Sequence, residues 1–370
     1  MFKKLLTGIL AISLNLGCAQ ESLINQSARQ EKQKIIRILE GPSSFVMDLV
    51  EFEFINGIQG KLVEYKKNQE KLEELVSNTV DRVRQANILE TLGEVRNGRI
   101  YKLNPDCARE SIEKLAGIYY GEVRKRFKMA DTDLLGDGLV NKTLDCDTSS
   151  FPLLEVGKRL NLPLHEVILW GQLSAHEFLR WDDGKNVYNL ETTGGKVLTN
   201  EESRKIYPNI TEADMKLGRM FVNLTEKESL AIRYCTYAGH CCRHEKFEEA
   251  ELWFNRAIKT ADHPYIYHCM TMNQCSQNHE EKSLKLAEET IRKFPGYYFP
   301  QFTMGSLLHV YGKSQEALKH FDKAIKLCPE QLFVYDVAIV VSESMRDYNM
   351  AGEYTNLKSR AEEKFRQKAF

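Results

Sequence analysis

Three side chains within one short stretch, Leu144 to Gly195, have the types and order needed for acyl chemistry: Cys146, His176 and Glu191. A thiolate can attack a carbonyl, an imidazole can carry the proton, and a carboxylate can hold the imidazole in place. Cys146 is followed by Ser149, Ser150 and Pro152, residues suited to a helix start, and then by the apolar face Leu153, Val156 and Leu160. Asn161-Leu162-Pro163 ends that helix. Cys146 is therefore expected at or just before a helix N-terminus. There the free N–H groups and the macrodipole favour an anion, which lowers the pKa of a thiol. Val167 to Trp170 reads as a strand. The runs His176–Trp181 and Asn186–Glu191 then flank Asp182-Asp183-Gly184-Lys185. Asp-Gly between two such runs predicts a hairpin with a two-residue type I′ turn. Pairing centred on the Asp183–Gly184 bond makes opposed residue numbers sum to 367, so Leu179 faces Tyr188 and His176 faces Glu191. Opposed side chains have Cβ atoms ~4.5–5.5 Å apart. Asn189, diagonal to His176, is a second orienting candidate, and Gln172 and Trp170 are candidates to line the site. Taken singly, each residue of the three has a plainer reading: an inert buried thiol, a core histidine, a solvated strand end. Their order and pairing favour a triad.

This stretch resembles the transglutaminase-like (papain-like cysteine enzyme) superfamily, in the bacterial branch that is found beside tetratricopeptide repeats. Asp145-Cys146 before a helix, Ala175-His176 opening a strand, and Asn189-Leu190-Glu191-Thr192-Thr193 closing the next match its cysteine, histidine and acid motifs in order. The likeness runs from about Ile118 to Arg204, with Glu191 where Asp is usual and no glycine before the cysteine. It implies a small α+β domain with an antiparallel sheet, and attack of Cys146 on an amide or ester carbonyl. Proteolysis, amide hydrolysis, deamidation and cross-linking are all compatible with that implication.

The elements that must carry these residues are helical on both sides. Toward the C-terminus a small residue recurs at Ala250, Ser283, Ala317 and Ala351, spacings of 33, 34 and 34. In the clearest unit Tyr298 opens the first helix and Gly305 is its small position. Ala317, Phe321 and Ala324 follow on the second helix, and Pro329 terminates it. That period resembles tetratricopeptide repeats, in which each hairpin buries its apolar face only by stacking on neighbours. Such arrays imply a protein or peptide partner. Cys235, His240, Cys241, Cys242 and His244 in the first unit invite a zinc reading. No second cluster stands at finger spacing, and Ala238 and Cys241 share the packed face, so no metal or cofactor is expected. Before the Cys146 stretch, residues from about 22 to 130 read as helical. Lys66 to Val83 carries Leu72, Leu75, Val76, Val80 and Val83 along one side. The expected organisation is a signal peptide over 1–17, a helical support region over 18–110, a transglutaminase-like α+β domain over 111–225, and an α-solenoid of repeats over 226–370.

Composition sets the outer bounds. Among 370 residues, 51 Lys plus Arg offset 52 Asp plus Glu, so the chain lacks the basic excess of a nucleic-acid binder. Met1-Phe2-Lys3-Lys4 precedes an apolar run from Leu5 to Leu16 that is shorter than the ~20 residues a bilayer requires. Gly17-Cys18 after that run resembles a bacterial lipobox, which implies cleavage before Cys18, acylation of its thiol, and residence on a membrane of the cell envelope. A periplasmic or secreted protein is the alternative. An oxidising compartment permits disulfides, whose connectivity is not legible from sequence. Two functions fit these observations: an exported cysteine enzyme whose repeats recruit a protein or peptide, or a catalytically inactive lipid-anchored binding scaffold. Intact-mass analysis of membrane-extracted protein should find a chain beginning at Cys18 and carrying acyl groups. A soluble form beginning elsewhere would remove the lipid anchor from the account.

Overall fold

The structure, a computed structural model, describes residues 62–104, 109–130, 141–169, 176–207, 210–217 and 220–368. The expected signal peptide, Cys18, Trp170 and Gln172 lie outside the described residues.

The first element, α1 (Leu62–Gln85), buries Leu72, Leu75, Val76, Val80 and Val83 along one side, the spacing that its sequence pattern anticipates. After the short α2 (Ile88–Leu92) comes an antiparallel hairpin, β1 (Gly93–Arg96) and β2 (Arg99–Leu103), inside the region expected to be wholly helical. The cause is local. Arg96 pairs with Arg99, and the two residues between them, Asn97 and Gly98, have φ of 52° and 68°. Both therefore adopt the left-handed conformation of a type I′ turn, which Asn-Gly favours.

The chain continues through α3 (Arg109–Arg126), β3 (Lys128–Met129) and β4 (Thr143–Leu144) into α4 (Cys146–Leu160). Arg159 on α4 bonds Glu73 on α1 at 2.7 Å, and the guanidinium holds the Glu73 carboxyl down at about 2. Asn161 ends α4 at φ 57°, the αL cap that Asn tolerates.

A four-stranded antiparallel sheet follows in the order β5 (Leu164–Leu169), β6 (His176–Asp182), β7 (Val187–Glu191) and β8 (Lys196–Leu198). Leu164, Leu179, Trp181 and Leu190 belong to the core shared with α1, α3 and α4. Val167, Leu169 and Phe178 join a second core with Ile210, Phe221 and the repeats. The sheet is thus covered on both faces, which is why Val167-Ile168-Leu169 is a continuous apolar run instead of an alternating one.

Two short helices, α5 (Asn200–Ile206) and α6 (Glu212–Lys216), lead into four helical hairpins resembling a tetratricopeptide solenoid. They are α7 (Glu226–Arg243) with α8 (Phe247–Thr260), α9 (Pro264–Ser276) with α10 (Glu280–Lys293), α11 (Tyr298–Val310) with α12 (Ser314–Leu327), and α13 (Leu332–Ser344) with α14 (Tyr348–Lys368). Ala250, Ser283, Ala317 and Ala351 occupy the second helix of each hairpin and are all buried. Gly305 explains the small-residue requirement: a Cβ there would sit 2.6 Å from the Phe321 ring across the hairpin. No helix among the described residues is long and apolar enough to cross a membrane.

Enlarging Ala317, which has no exposed surface, to Leu should overpack the α11–α12 hairpin. A loss of ~1–3 kcal/mol in urea unfolding is expected. Wild-type stability for Ala317→Leu would mean that the helices do not meet at this residue.

Candidate active site

The site starts from a helix end. Asp145 is the N-cap of α4: its side chain accepts from the Thr148 N–H at 3.2 Å, and the Thr148 hydroxyl accepts from the Asp145 N–H at 2.8 Å. This reciprocal capping box makes Cys146 the first helical residue. Ser149 and Ser150, expected as caps, lie one turn inside the helix because Asp145 satisfies the N-terminal donors first. Their hydroxyls turn inward instead. Ser150 donates to the Cys146 carbonyl at 2.7 Å, and Ser149 donates to the Thr192 hydroxyl at 2.8 Å. Thr192 itself donates to the Cys146 carbonyl at 3.3 Å. The first turn of α4 is thereby tied to the residue that follows Glu191, so the thiol-bearing helix end and the carboxylate are held by one buried hydroxyl cluster.

His176 opens β6. Its Nε2 lies 2.8 Å from Glu191 Oε1 and 2.9 Å from the Tyr207 hydroxyl. The Thr193 hydroxyl donates to the other Glu191 oxygen at 3.3 Å. The pair forms in a different register from the one expected. Leu179 faces Leu190, Trp181 faces Tyr188 and Asp182 faces Val187, so opposed numbers sum to 369. Continued to the site, this register sets Glu191 opposite Phe178, diagonal to His176. The turn is the reason. Asp183 does not sit at the centre of a two-residue type I′ turn; its carboxylate accepts from the Lys185 and Asn186 N–H groups and from the Trp181 indole. The loop is therefore the four residues Asp183 to Asn186, centred one residue later than expected. A shift of two in the pairing sum preserves the face on which each side chain lies, and His176 and Glu191 still meet.

Tyr207, just after α5, had no signal in the sequence. Its ring centroid is 5.0 Å from that of His176, and its ring stacks on Phe178. Burial raises the phenol's pKa well above its usual range, and the nearby Glu191 and Cys146 add to the rise. Asn189 takes a different place from the one expected. Its Oδ1 accepts from the buried Arg180 guanidinium at 2.8 Å, and its amide donates to Asn200 and Ser203. It braces β7 against α5 and does not orient His176.

Cys146 and His176 line one cavity of about 460 Å³. Its floor comes from the sheet, including Ile168 and Glu177, and its far wall from α7 and α9 of the repeats, including Arg243 and Asn273. A larger cavity of about 1480 Å³, between α1, α4 and the start of α7, contains neither Cys146 nor His176. The seven described cysteines are all free thiols. Burial raises the pKa of Cys235, Cys241 and Cys242, Cys241 to about 12.

No family model and no curated protein sequence matches the chain. Solved structures that align with it include MamA from Desulfovibrio magneticus RS-1, 14% identical, covering 44% of this chain and 97% of that one at a TM-score of 0.29. Others are YrrB, described as a TPR protein with an unusual peptide-binding site (15%, 37% and 70%, TM-score 0.29), and pilF of Pseudomonas aeruginosa (16%, 35% and 60%, TM-score 0.30). At these scores the repeat architecture rests on the hairpins themselves.

A Tyr207→Phe difference titration at 295 nm tests the electrostatics directly. Two anionic groups and burial oppose ionisation, so Tyr207 should contribute no tyrosinate below pH ~10, where free tyrosine is half ionised. A normal phenol titration would place Tyr207 outside the site.

Proposed function

We propose that this chain is a transglutaminase-like cysteine enzyme acting on amide bonds, with Cys146 as nucleophile, His176 as proton carrier and Glu191 as the group that orients His176. The observation that carries the reading is the Glu191–His176 hydrogen bond of 2.8 Å, formed at the wall of a cavity that Cys146 also lines. With Nε2 engaged by Glu191 and Tyr207, Nδ1 is the nitrogen left to serve the thiol. The start of α4 supplies the N–H groups that favour a thiolate. The sulfur attacks the carbonyl carbon, the carbon–nitrogen bond breaks, and the imidazolium gives its proton to the departing amine. Water or a second amine then attacks the thioester while the imidazole takes a proton from it, and the thiolate leaves. The same nitrogen acts as acid in the first half-reaction and as base in the second. Glu191 stabilises the imidazolium in both.

The reading includes export and a lipid anchor at Cys18, which the basic start, apolar run and Gly17-Cys18 junction support. It also includes a protein or peptide substrate, since the cavity has repeat helices along one side.

Iodoacetamide labelling at neutral pH should modify Cys146 well ahead of the other thiols, and Cys146→Ala should remove both that label and any amidase activity. His176→Ala should slow labelling and amide turnover by ~10²-fold or more and move the thiol titration toward ~8.5. Glu191→Gln should reduce turnover less than His176→Ala, because the amide still hydrogen-bonds the ring without supplying charge. Uniform slow labelling of all cysteines would instead identify the chain as a non-catalytic scaffold.

A further inference from the structure

The far wall of the cavity holds a polar group that the triad does not use. Asn273 on α9 is only 4% exposed and lines the same space as Cys146 and His176. Its Oδ1 accepts from the Cys242 thiol at 2.9 Å and from the Gln277 amide at 3.2 Å. Gln277 Nε2, which also donates to the Asn273 main-chain carbonyl at 3.2 Å, marks that end of the amide as oxygen. Its Nδ2 donates to nothing among the described residues. A buried N–H group without an acceptor costs about 1–3 kcal/mol, a penalty that a bound acceptor removes. Nearby, Gly239 of α7 leaves the cavity open: a Cβ added there would meet only the Arg243 guanidinium, at 3.8 Å. Ile168, Ile232 and Met272 supply apolar surface between the two, and the volume of about 460 Å³ suits a short peptide segment.

We infer that the first two repeat hairpins form the substrate-binding wall of the active site, with Asn273 Nδ2 donating to a main-chain carbonyl of a peptide substrate whose adjoining residues fill the space beside Gly239. The inference rests on the proposed nucleophile and peptide substrate, and adds the residue that reads the main chain of that substrate. A carbonyl suits the site because Nδ2 is a neutral donor beside a partly apolar cleft. The repeats then serve as half of the catalytic cleft, and the partner they hold is the substrate itself.

The test compares two electrophiles on the full chain. Iodoacetamide needs no subsite. A chloromethyl ketone of acetyl-Ala-Ala-Ala presents three peptide carbonyls, and in both cases the Cys146 thiolate displaces halide to form a thioether. Asn273→Ala should slow the peptidyl reagent about tenfold, the worth of one hydrogen bond inside a cavity, and leave iodoacetamide unchanged. Gly239→Leu guards against misfolding of the first variant, since Leu is a better helix former than Gly and projects into the cavity. It should likewise slow only the peptidyl reagent. Unchanged peptidyl rates in both variants, or equal loss with both reagents, would overturn the subsite while leaving the nucleophile in place. If iodoacetamide shows no preference for Cys146 in the wild type, the nucleophile fails and the subsite falls with it.

Discussion

The arrangement depends on one buried guanidinium. Arg233, on the first repeat helix, bonds Glu166 on β5 and Glu177 on β6, and all three side chains are 5% exposed or less. Its guanidinium also lies 4.0 Å from the Phe151 ring centroid on α4. A single residue of the repeats therefore touches the helix that begins at Cys146, the strand that begins at His176, and the strand beside it. Burying two carboxylates is tolerable only while the cation stays between them. Losing it would leave unpaired charge in the interior, among the most damaging changes a fold can suffer. The trio pins the sheet to the first repeat helix beside the cavity, which Glu177 and the repeat helices both line.

A boundary near residue 225 is consequently a topological line more than a physical one. One continuous core runs from Leu72 on α1 through Val156 and Trp181 to Tyr234 and Met270 of the repeats. A second joins Val167 and Phe178 of the sheet to Tyr298, Phe321 and Val341. The sheet lies between them as a shared layer. This is unlike a tethered pair of domains, where few contacts cross and relative motion is the default. The elements that carry Cys146, His176 and Glu191 are themselves cross-braced: the Asp145 cap fixes where α4 starts, and Thr192 ties that start to the end of β7.

How much of this was legible in the sequence follows from how local each cause is. The repeats were readable because a 34-residue period samples the same helix position again and again, and Ala250, Ser283 and Ala317 are each fully buried on the second helix of a hairpin. The partnership of His176 and Glu191 was readable because the face of a strand survives an even slip. The register itself was not, since Asp183 spends its carboxylate on the loop's own N–H groups and moves the centre of the turn. The α4 start was misplaced by a few residues for a similar reason, with Asp145 outcompeting two serines. The Asn97-Gly98 hairpin carried its signal in plain sight, within a stretch whose flanks are helical. Tyr207 and Asn273 carried none. Their positions arise from contacts between segments distant in sequence, which no spacing rule reaches.

The Arg233 bridge also orders events in time. Glu166 and Arg233 are 67 residues apart along the chain. At synthesis rates of about 5–20 residues per second, roughly 3–13 s separate the emergence of the carboxylate from that of its cation. During that interval β5 and β6 can pair, but their acidic groups have no reason to leave water. Glu166 and Glu177 therefore gain their neutralising partner only once the first repeat helix is there to pack against the sheet. A helix made after the sheet thus closes what the sheet began.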